Sequence, residues 1–183
     1  MLMAQLDSVL VRFNAFVDDG NIRLAWTIKG GFQCGGTIIQ HSGDSINFEN
    51  IGSIPGICGS PFYDESYSFD DLHPVLNSVN YYRIDMIGLG ISKIISQDLF
   101  DFSENQVLII PNPIVSEGQI VFENIAAETC NIKYFHSSGK TVYSENTRGN
   151  KFKIQAAKFP AGIIFFQILK SEEFFVSGKI LIL

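Results

Sequence analysis

The sequence predicts an all-β protein, and three observations support that fold class: an aromatic-rich composition, period-two alternation and recurring turn residues. The 183 residues include 16 Phe and 6 Tyr within an apolar fraction of 46 %, and 16 Gly interrupt them. Aromatic and β-branched side chains suit the half-buried surface of a strand, whereas Gly, Asn and Asp suit the turns. Because no long stretch shows the 3.6-residue apolar period of a helix, we expect helix to be nearly absent.

The first half of the chain is predicted to form seven short strands joined by turns. Alternation is clearest where Leu24, Trp26 and Ile28 share one face, and Asp19 and Gly20 before them supply turn residues that tolerate positive φ. The predicted strands are 9–17, 22–28, 37–41, 48–54, 67–70, 80–87 and 91–96. A Trp on the second strand and a Tyr-rich penultimate strand are typical of an immunoglobulin-like sandwich of antiparallel sheets.

The second half repeats this strand pattern, and we predict a second antiparallel β-sandwich in tandem with the first. Its predicted strands are 118–122, 131–136, 141–144, 151–155, 162–169 and 173–182. Residues 163–169 are almost all apolar, as expected of a central strand covered on both faces. Residues 97–106 are polar and acidic at three positions, which is typical of a linker. We therefore assign a first domain to residues 1–98, a linker to 99–106 and a second domain to 107–183.

The charge distribution and the hydropathy pattern exclude two classes of function. Residues 1–98 carry 5 Lys or Arg against 11 Asp or Glu, and residues 99–183 carry 8 of each. An acidic half and a neutral half without a basic cluster cannot neutralise phosphates, so we expect no nucleic-acid partner. No apolar run approaches the roughly 18 residues that a membrane-spanning helix needs, so we expect no transmembrane segment.

The residues that catalysis and cofactor binding require form no recognisable pattern. Gly88-Leu89-Gly90 lacks the third glycine of a dinucleotide-binding loop, because Lys93 stands there, and no Gly-x-Ser-x-Gly elbow occurs. The histidines and cysteines lack the spacing of zinc ligands. We therefore expect a non-catalytic protein with no catalytic residues, no cofactor and no metal.

Carboxylates occur in pairs at Asp18-Asp19, Asp64-Glu65 and Asp70-Asp71. Such pairs either bind Ca²⁺ when carbonyl oxygens converge on them or lie in solvated turns. The sequence favours the turn interpretation, because a small sandwich rarely offers the cleft that paired acids need.

The cysteines and the aromatic residues near them can each be interpreted in two ways. Cys34 and Cys58, 24 positions apart, favour a disulfide in an oxidising compartment over two buried thiols, whereas Cys130 is expected to be a small core residue. Five aromatic residues lie near the cysteine pair: Phe32, Phe62, Tyr63, Tyr67 and Phe69. Core packing is the favoured interpretation of these rings, and a carbohydrate-binding face is the alternative.

Four short motifs run in order through residues 107–183 and end with the chain. Alone, each is ordinary turn and strand chemistry; in this order and spacing they resemble the type A C-terminal sorting domain of the bacterial type IX secretion system. The resemblance assigns the sorting motif to Pro111, Asn112, Pro113, Ser138, Gly139, Lys140, Pro160, Ala161, Gly162, Gly178 and Lys179.

The resemblance implies a route and partners. The protein would cross the periplasm and the outer membrane of a Gram-negative bacterium, guided by the translocon, and a sortase would cleave between Gln97 and Val107. The mature protein would be released or remain on the cell surface. Export also requires a leader, and residues 1–5 are similar to the end of a signal peptide.

The first half resembles a fibronectin type III-like domain of the kind that precedes such sorting domains. The resemblance lies in residues 22–26, 38–44 and 81–84, together with Gly90-Ile91-Ser92. It implies a binding or adhesion module for a surface polysaccharide or a protein. The alternative is a spacer, or the C-terminal fragment of a larger secreted enzyme or adhesin.

Overall fold

The computed structural model describes residues 9–32, 34–103 and 106–183. The chain folds as two compact units, Met1–Asp101 and Phe102–Leu183. The described residues form fifteen strands, which pair antiparallel, and a short 3₁₀ turn, Ala156–Lys158. The all-β fold class predicted from the sequence is therefore confirmed. Within these ranges, no helix has the length and apolar character needed to cross a membrane.

The first unit is a two-sheet sandwich whose core lies between the sheets. Its strands are β1 (Leu10–Asp18), β2 (Asn21–Ile28), β3 (Thr37–Ser42), β4 (Glu49–Ile54), β5 (Glu65–Asp71), β6 (Ser78–Met86), β7 (Gly90–Ile91) and β8 (Ile95–Leu99). One sheet has the order β1-β2-β5; in the other, β4-β3-β6 continues to both β7 and β8. Trp26 of β2 and Tyr82 of β6 are fully buried between the two sheets, and for Trp26 the alternation of the sequence predicts this.

The strand β7 ends just before Ser92, so the strand predicted over residues 91–96 is interrupted there. The prediction of one strand over 91–96 is wrong, because β7 stops at Ile91 and β8 begins at Ile95. The Ser92 hydroxyl accepts the N–H of Ile84 at 3.0 Å, in the place of a carbonyl of the ladder. The first unit then continues through Leu99, which is buried, so the linker assignment is corrected at its start.

The second unit is also built from two sheets around one core. Its strands are β9 (Val107–Ile110), β10 (Glu117–Phe122), β11 (Cys130–Phe135), β12 (Thr141–Thr147), β13 (Lys151–Gln155), β14 (Gly162–Lys170) and β15 (Glu173–Ile182). The sheets have the orders β13-β10-β9 and β12-β11-β14-β15. Cys130 is a buried core residue, as expected. The strand β9 was not among the predicted strands.

The strand β14 is central in its sheet but is covered on one face only. Ile164, Phe166 and Ile168 are buried in the core. Ile163 is 49 % exposed and Phe165 is 44 % exposed. The prediction that both faces are covered is wrong, because a two-layer sandwich leaves the outer face of each sheet open.

Candidate functional site

The Pro111-Asn112-Pro113 segment and the end of the chain are held together by backbone and side-chain hydrogen bonds. The Asn112 carboxamide oxygen accepts the N–H of Leu181 at 3.1 Å. The N–H of Ile114 then donates to the Leu181 carbonyl at 2.8 Å, and the N–H of Leu183 donates to the Ile114 carbonyl at 3.0 Å. Ile114 thus forms a parallel bridge with Ile182, and both side chains are buried. Two motifs that are about 70 residues apart in sequence therefore form one structural unit.

The remaining motif residues lie at defined positions around the same sheet. Gly162, which follows Pro160 and Ala161, opens β14 and pairs with Ile182. In the β11–β12 hairpin, Gly139 has a φ of 82° and donates its N–H to the His136 carbonyl at 2.8 Å. Ser138 and Lys140 flank Gly139 in this hairpin, which β14 separates from β15 in the order of the sheet.

Gly178 and Lys179 of β15 have different structural roles. A Cβ atom at Gly178 would lie 2.6 Å from the ring of Phe166, which is fully buried and cannot move away. Gly178 therefore allows the close packing of the core, whereas Lys179 is exposed opposite Phe165. Ile114 completes the arrangement through its parallel bridge, which no pattern in the sequence indicates.

The matched region and this arrangement coincide. Residues 108–183 match the family model of a secretion system C-terminal sorting domain. The match begins within β9 and reaches the last residue of the chain, so we call the second unit the sorting domain. The match indicates that the protein is secreted through the type IX secretion system and interacts with the machinery of that system. A comparison with curated proteins returns no match.

Three loops meet at one end of the first unit, and a disulfide joins two of them. Cys34 and Cys58 are bonded, as the sequence favoured, with their Cα atoms 4.4 Å apart. A Cβ atom at Gly56 would overlap the carbonyl oxygen of Cys34, and one at Gly35 would overlap that of Ile87. The loop after β2, the loop after β4 and the turn after β6 therefore pack backbone against backbone.

These loops expose large apolar side chains, which we call the loop platform. Its members are Phe32, Ile57, Phe62, Tyr63 and Ile87. Phe62 is 85 % exposed, Tyr63 is 72 % exposed and Ile57 is 71 % exposed. Core packing, the favoured interpretation of the aromatic residues, is therefore wrong for Phe32, Phe62 and Tyr63. The sequence reasoning missed Ile57 and Ile87, because nothing in the sequence shows that their loops meet.

The other aromatic residues near the cysteines belong to the core, as the favoured interpretation predicts. Tyr67 stacks on Trp26 with ring centroids 5.9 Å apart. Phe69 packs against the same core, and its ring lies over Gly52 of β4. The ring edge of Phe69 would overlap a Cβ atom at Gly52, so this ring fills the space between the sheets.

In each carboxylate pair, at least one side chain binds a group of the protein itself. Arg23 donates to both oxygens of Asp70, at 2.6 and 3.2 Å, and forms an ion pair with Asp18 at 2.8 Å. The hydrogen bond from Arg23 lowers the pKa of Asp70. Asp64 accepts the N–H of Gly30 at 3.1 Å, and Asp71 accepts the Tyr82 hydroxyl at 2.8 Å. In the part of the chain that the structure describes, no three His, Cys, Asp or Glu side chains group as metal ligands.

Proposed function

We propose that this chain is a secreted or cell-surface protein in which the sorting domain directs export and the first unit is the delivered, non-catalytic binding module. The match of residues 108–183 to the sorting-domain family carries the export part of the proposal. The translocon and the sortase of the type IX system are the proposed partners. Contacts and burial support the further parts of the proposal, which concern the chain end, the type of the first unit, its binding surface and the cleavage segment.

The chain end is suited to recognition as a folded surface. Ile180 and Ile182 are buried in the core, and Asn112 and Ile114 fix the strand that carries them. Removal of this strand would open the core, so the presence of the chain end and the folding of the domain are linked. A receptor that binds the folded domain would therefore bind only chains that retain β15.

The fold of the first unit supports a fibronectin type III-like module. Its sheet orders, β1-β2-β5 and β4-β3-β6-β8, distribute seven main strands between a three-stranded and a four-stranded layer. Trp26 fills the core from the second strand, and the Tyr82 hydroxyl donates back to Asp71 at the end of β5. A tyrosine that ties its strand to an upstream segment is a recurrent feature of such sandwiches.

The loop platform is the proposed binding surface of this module. Exposed aromatic and aliphatic side chains on loops that the scaffold holds in place are typical of recognition sites. The three loops pack closely and a disulfide joins two of them, so little ordering entropy would be lost on binding. The platform residues themselves carry no charge, which favours a neutral partner such as a surface polysaccharide or an apolar protein patch.

The binding proposal is tested with the full chain on glycan arrays and on whole cells. The double substitution Phe62→Ser and Tyr63→Ser should reduce binding at least tenfold and leave the melting temperature unchanged, because both side chains are exposed. Leu72→Ser is the matched control: Leu72 is 62 % exposed and follows β5 at the end opposite to the loop platform. Equal binding by the double variant and the unmodified chain would contradict the proposal, as would binding to no glycan and no cell.

The segment between β8 and β9 is the proposed site of sortase cleavage. Leu99 ends β8 and Val107 begins β9, so cleavage between them would leave the strands of both units intact. Residues 104 and 105 of this segment lie outside the described residues. Mass spectrometry of the protein recovered from the cell surface or the medium should give a C-terminus within residues 99–106. A mature form that retains β9 would contradict this placement.

The export proposal is tested by a comparison of two strains. The full chain, supplied with a leader, is expressed in a strain that has the type IX apparatus and in the same strain without its translocon. We expect the protein outside the cells only when the translocon is present. Equal amounts outside both strains would contradict the proposal, because another route would then carry the protein.

A further inference from the structure

The outer face of the sheet β12-β11-β14-β15 exposes apolar side chains in its centre. Phe165 of β14 lies directly opposite Phe135 of β11, and Ile163 lies opposite Leu181 of β15. Ile163 and Phe165 are about half exposed, whereas Phe135 and Leu181 are half-buried. We call these four side chains the outer patch. A neighbouring groove of about 520 Å³ is lined by Phe135 and Phe165.

Two lysines border the outer patch. Lys179 of β15 lies opposite Phe165, and Lys133 lies opposite Gln167, two residue pairs further along the sheet. Both lysines are exposed, and neither forms an ion pair with a residue that the structure describes. The carboxylate of Glu172 lies at the far end of this face, in the β14–β15 turn, and lines a second groove together with Lys133.

In the other sheet of the sorting domain, the apolar side chains of β9 and β10 are half-buried or buried. Along β13, the side chains that alternate with the buried Phe152 and Ile154 are polar: Lys153 and Gln155 are exposed. Exposed aromatic surface on a central strand costs free energy unless something covers it. The contrast between the two sheets therefore points to a contact at the outer patch.

We propose that the outer patch is the docking surface of the sorting domain and that its partner presents apolar side chains bordered by carboxylates. The inference rests on the proposed export function and names the surface that would serve it. Charge favours this partner over a second copy of the chain, because lysines border the outer patch and Glu172, the carboxylate of this face, lies at its far end. A carboxylate-bordered surface instead pairs with both lysines.

The inference is tested in the strain that has the type IX apparatus, with the full chain and a leader. One variant, Ile163→Thr with Phe165→Thr, removes the apolar surface and places at both positions a β-branched residue that favours a strand. A second variant, Lys133→Glu with Lys179→Glu, reverses the charge. Each should lower the exported fraction at least tenfold, with accumulation in the periplasm. Lys133→Arg with Lys179→Arg should export normally, because it keeps the charge.

A control on the opposite sheet and two solution measurements complete the test. The Lys153→Glu substitution reverses a lysine charge on the other sheet, and the chain that carries it should be exported normally. Every variant should keep the melting temperature of the unmodified chain within a few degrees. Normal export of the threonine variant would overturn the inference. Normal export of the glutamate variant would overturn the claim that the partner presents carboxylates. Self-association of the unmodified chain that the threonine substitutions abolish would also overturn it, because a second copy would then be the partner.

The design separates this inference from the proposed function. Failure of the unmodified chain to leave the cell contradicts the export proposal itself. Export of the unmodified chain together with export of every variant leaves the export proposal intact and refutes only the outer patch as the docking surface.

Discussion

Removal of the Cys34–Cys58 disulfide should destabilise the first unit by an amount that follows from the loop that it closes. The cysteines are 24 positions apart in sequence. A cross-link of that span removes conformational entropy from the unfolded chain worth about 3.5 kcal/mol at 25 °C. Both cysteines are exposed, so serine at both positions leaves no cavity in the core. For a unit of about 100 residues, the melting temperature should fall by roughly 15 °C.

Trp26 makes this effect measurable in the first unit alone. It is the single tryptophan of the chain, and it is buried in the core of that unit. Its fluorescence during thermal unfolding should report the lowered melting temperature of the Cys34→Ser, Cys58→Ser variant. A reducing agent should lower the melting temperature of the unmodified chain to the same value and leave the variant unchanged. An unmodified chain whose melting temperature resists reduction would refute the reasoning.

Three further substitutions test the two cores and one turn. Trp26→Ala should cost about 3–5 kcal/mol through the cavity it opens, and an unchanged unfolding midpoint in urea would contradict its place in the core. Gly178→Ala should destabilise the sorting domain by about 1–3 kcal/mol, because the added methyl group meets the buried Phe166 ring; an unchanged melting temperature, followed by circular dichroism, would contradict that contact. Asp44 accepts hydrogen bonds from Ile46, Asn47 and Ser42, which lower its pKa well below the usual range. Its stabilising effect is thus present above the unfolded pKa of about 4 and is lost as the pH falls further. Between pH 5 and pH 2 the melting temperature of Asp44→Asn should fall less than that of the unmodified chain, and equal decreases would count against this role.

Much of the fold follows from local patterns, because strands of a sandwich alternate between core and solvent. The pattern of β2 and the turn at Asp19 and Gly20 predict a hairpin that the structure contains, with positive φ at both turn residues. The break at Ser92 depends instead on the hydrogen bond that the Ser92 hydroxyl accepts from the N–H of Ile84. The alternation of the neighbouring residues carries no sign of that bond.

The candidate sites were only partly predictable for a different reason. The Cys34–Cys58 disulfide and the match of the second half to a sorting domain were predictable from sequence order and spacing. The apolar run of β14 does not reveal which of its faces is covered, so the exposure of Phe165 could not be foreseen. Likewise, Ile57 and Ile87 belong to the loop platform only because glycines let distant loops pack together. Such contacts depend on the tertiary arrangement rather than on local sequence.

The central claim is that the sorting domain carries the export signal, and a comparison of two chains in one strain tests it most directly. The full chain and a chain that ends at Asp101 are expressed with the same leader in a strain that has the type IX apparatus. The truncated chain keeps the core of the first unit, because that core is built from β1–β8. We expect the full chain outside the cells and the truncated chain in the periplasm. Equal amounts of the two chains outside the cells would contradict it.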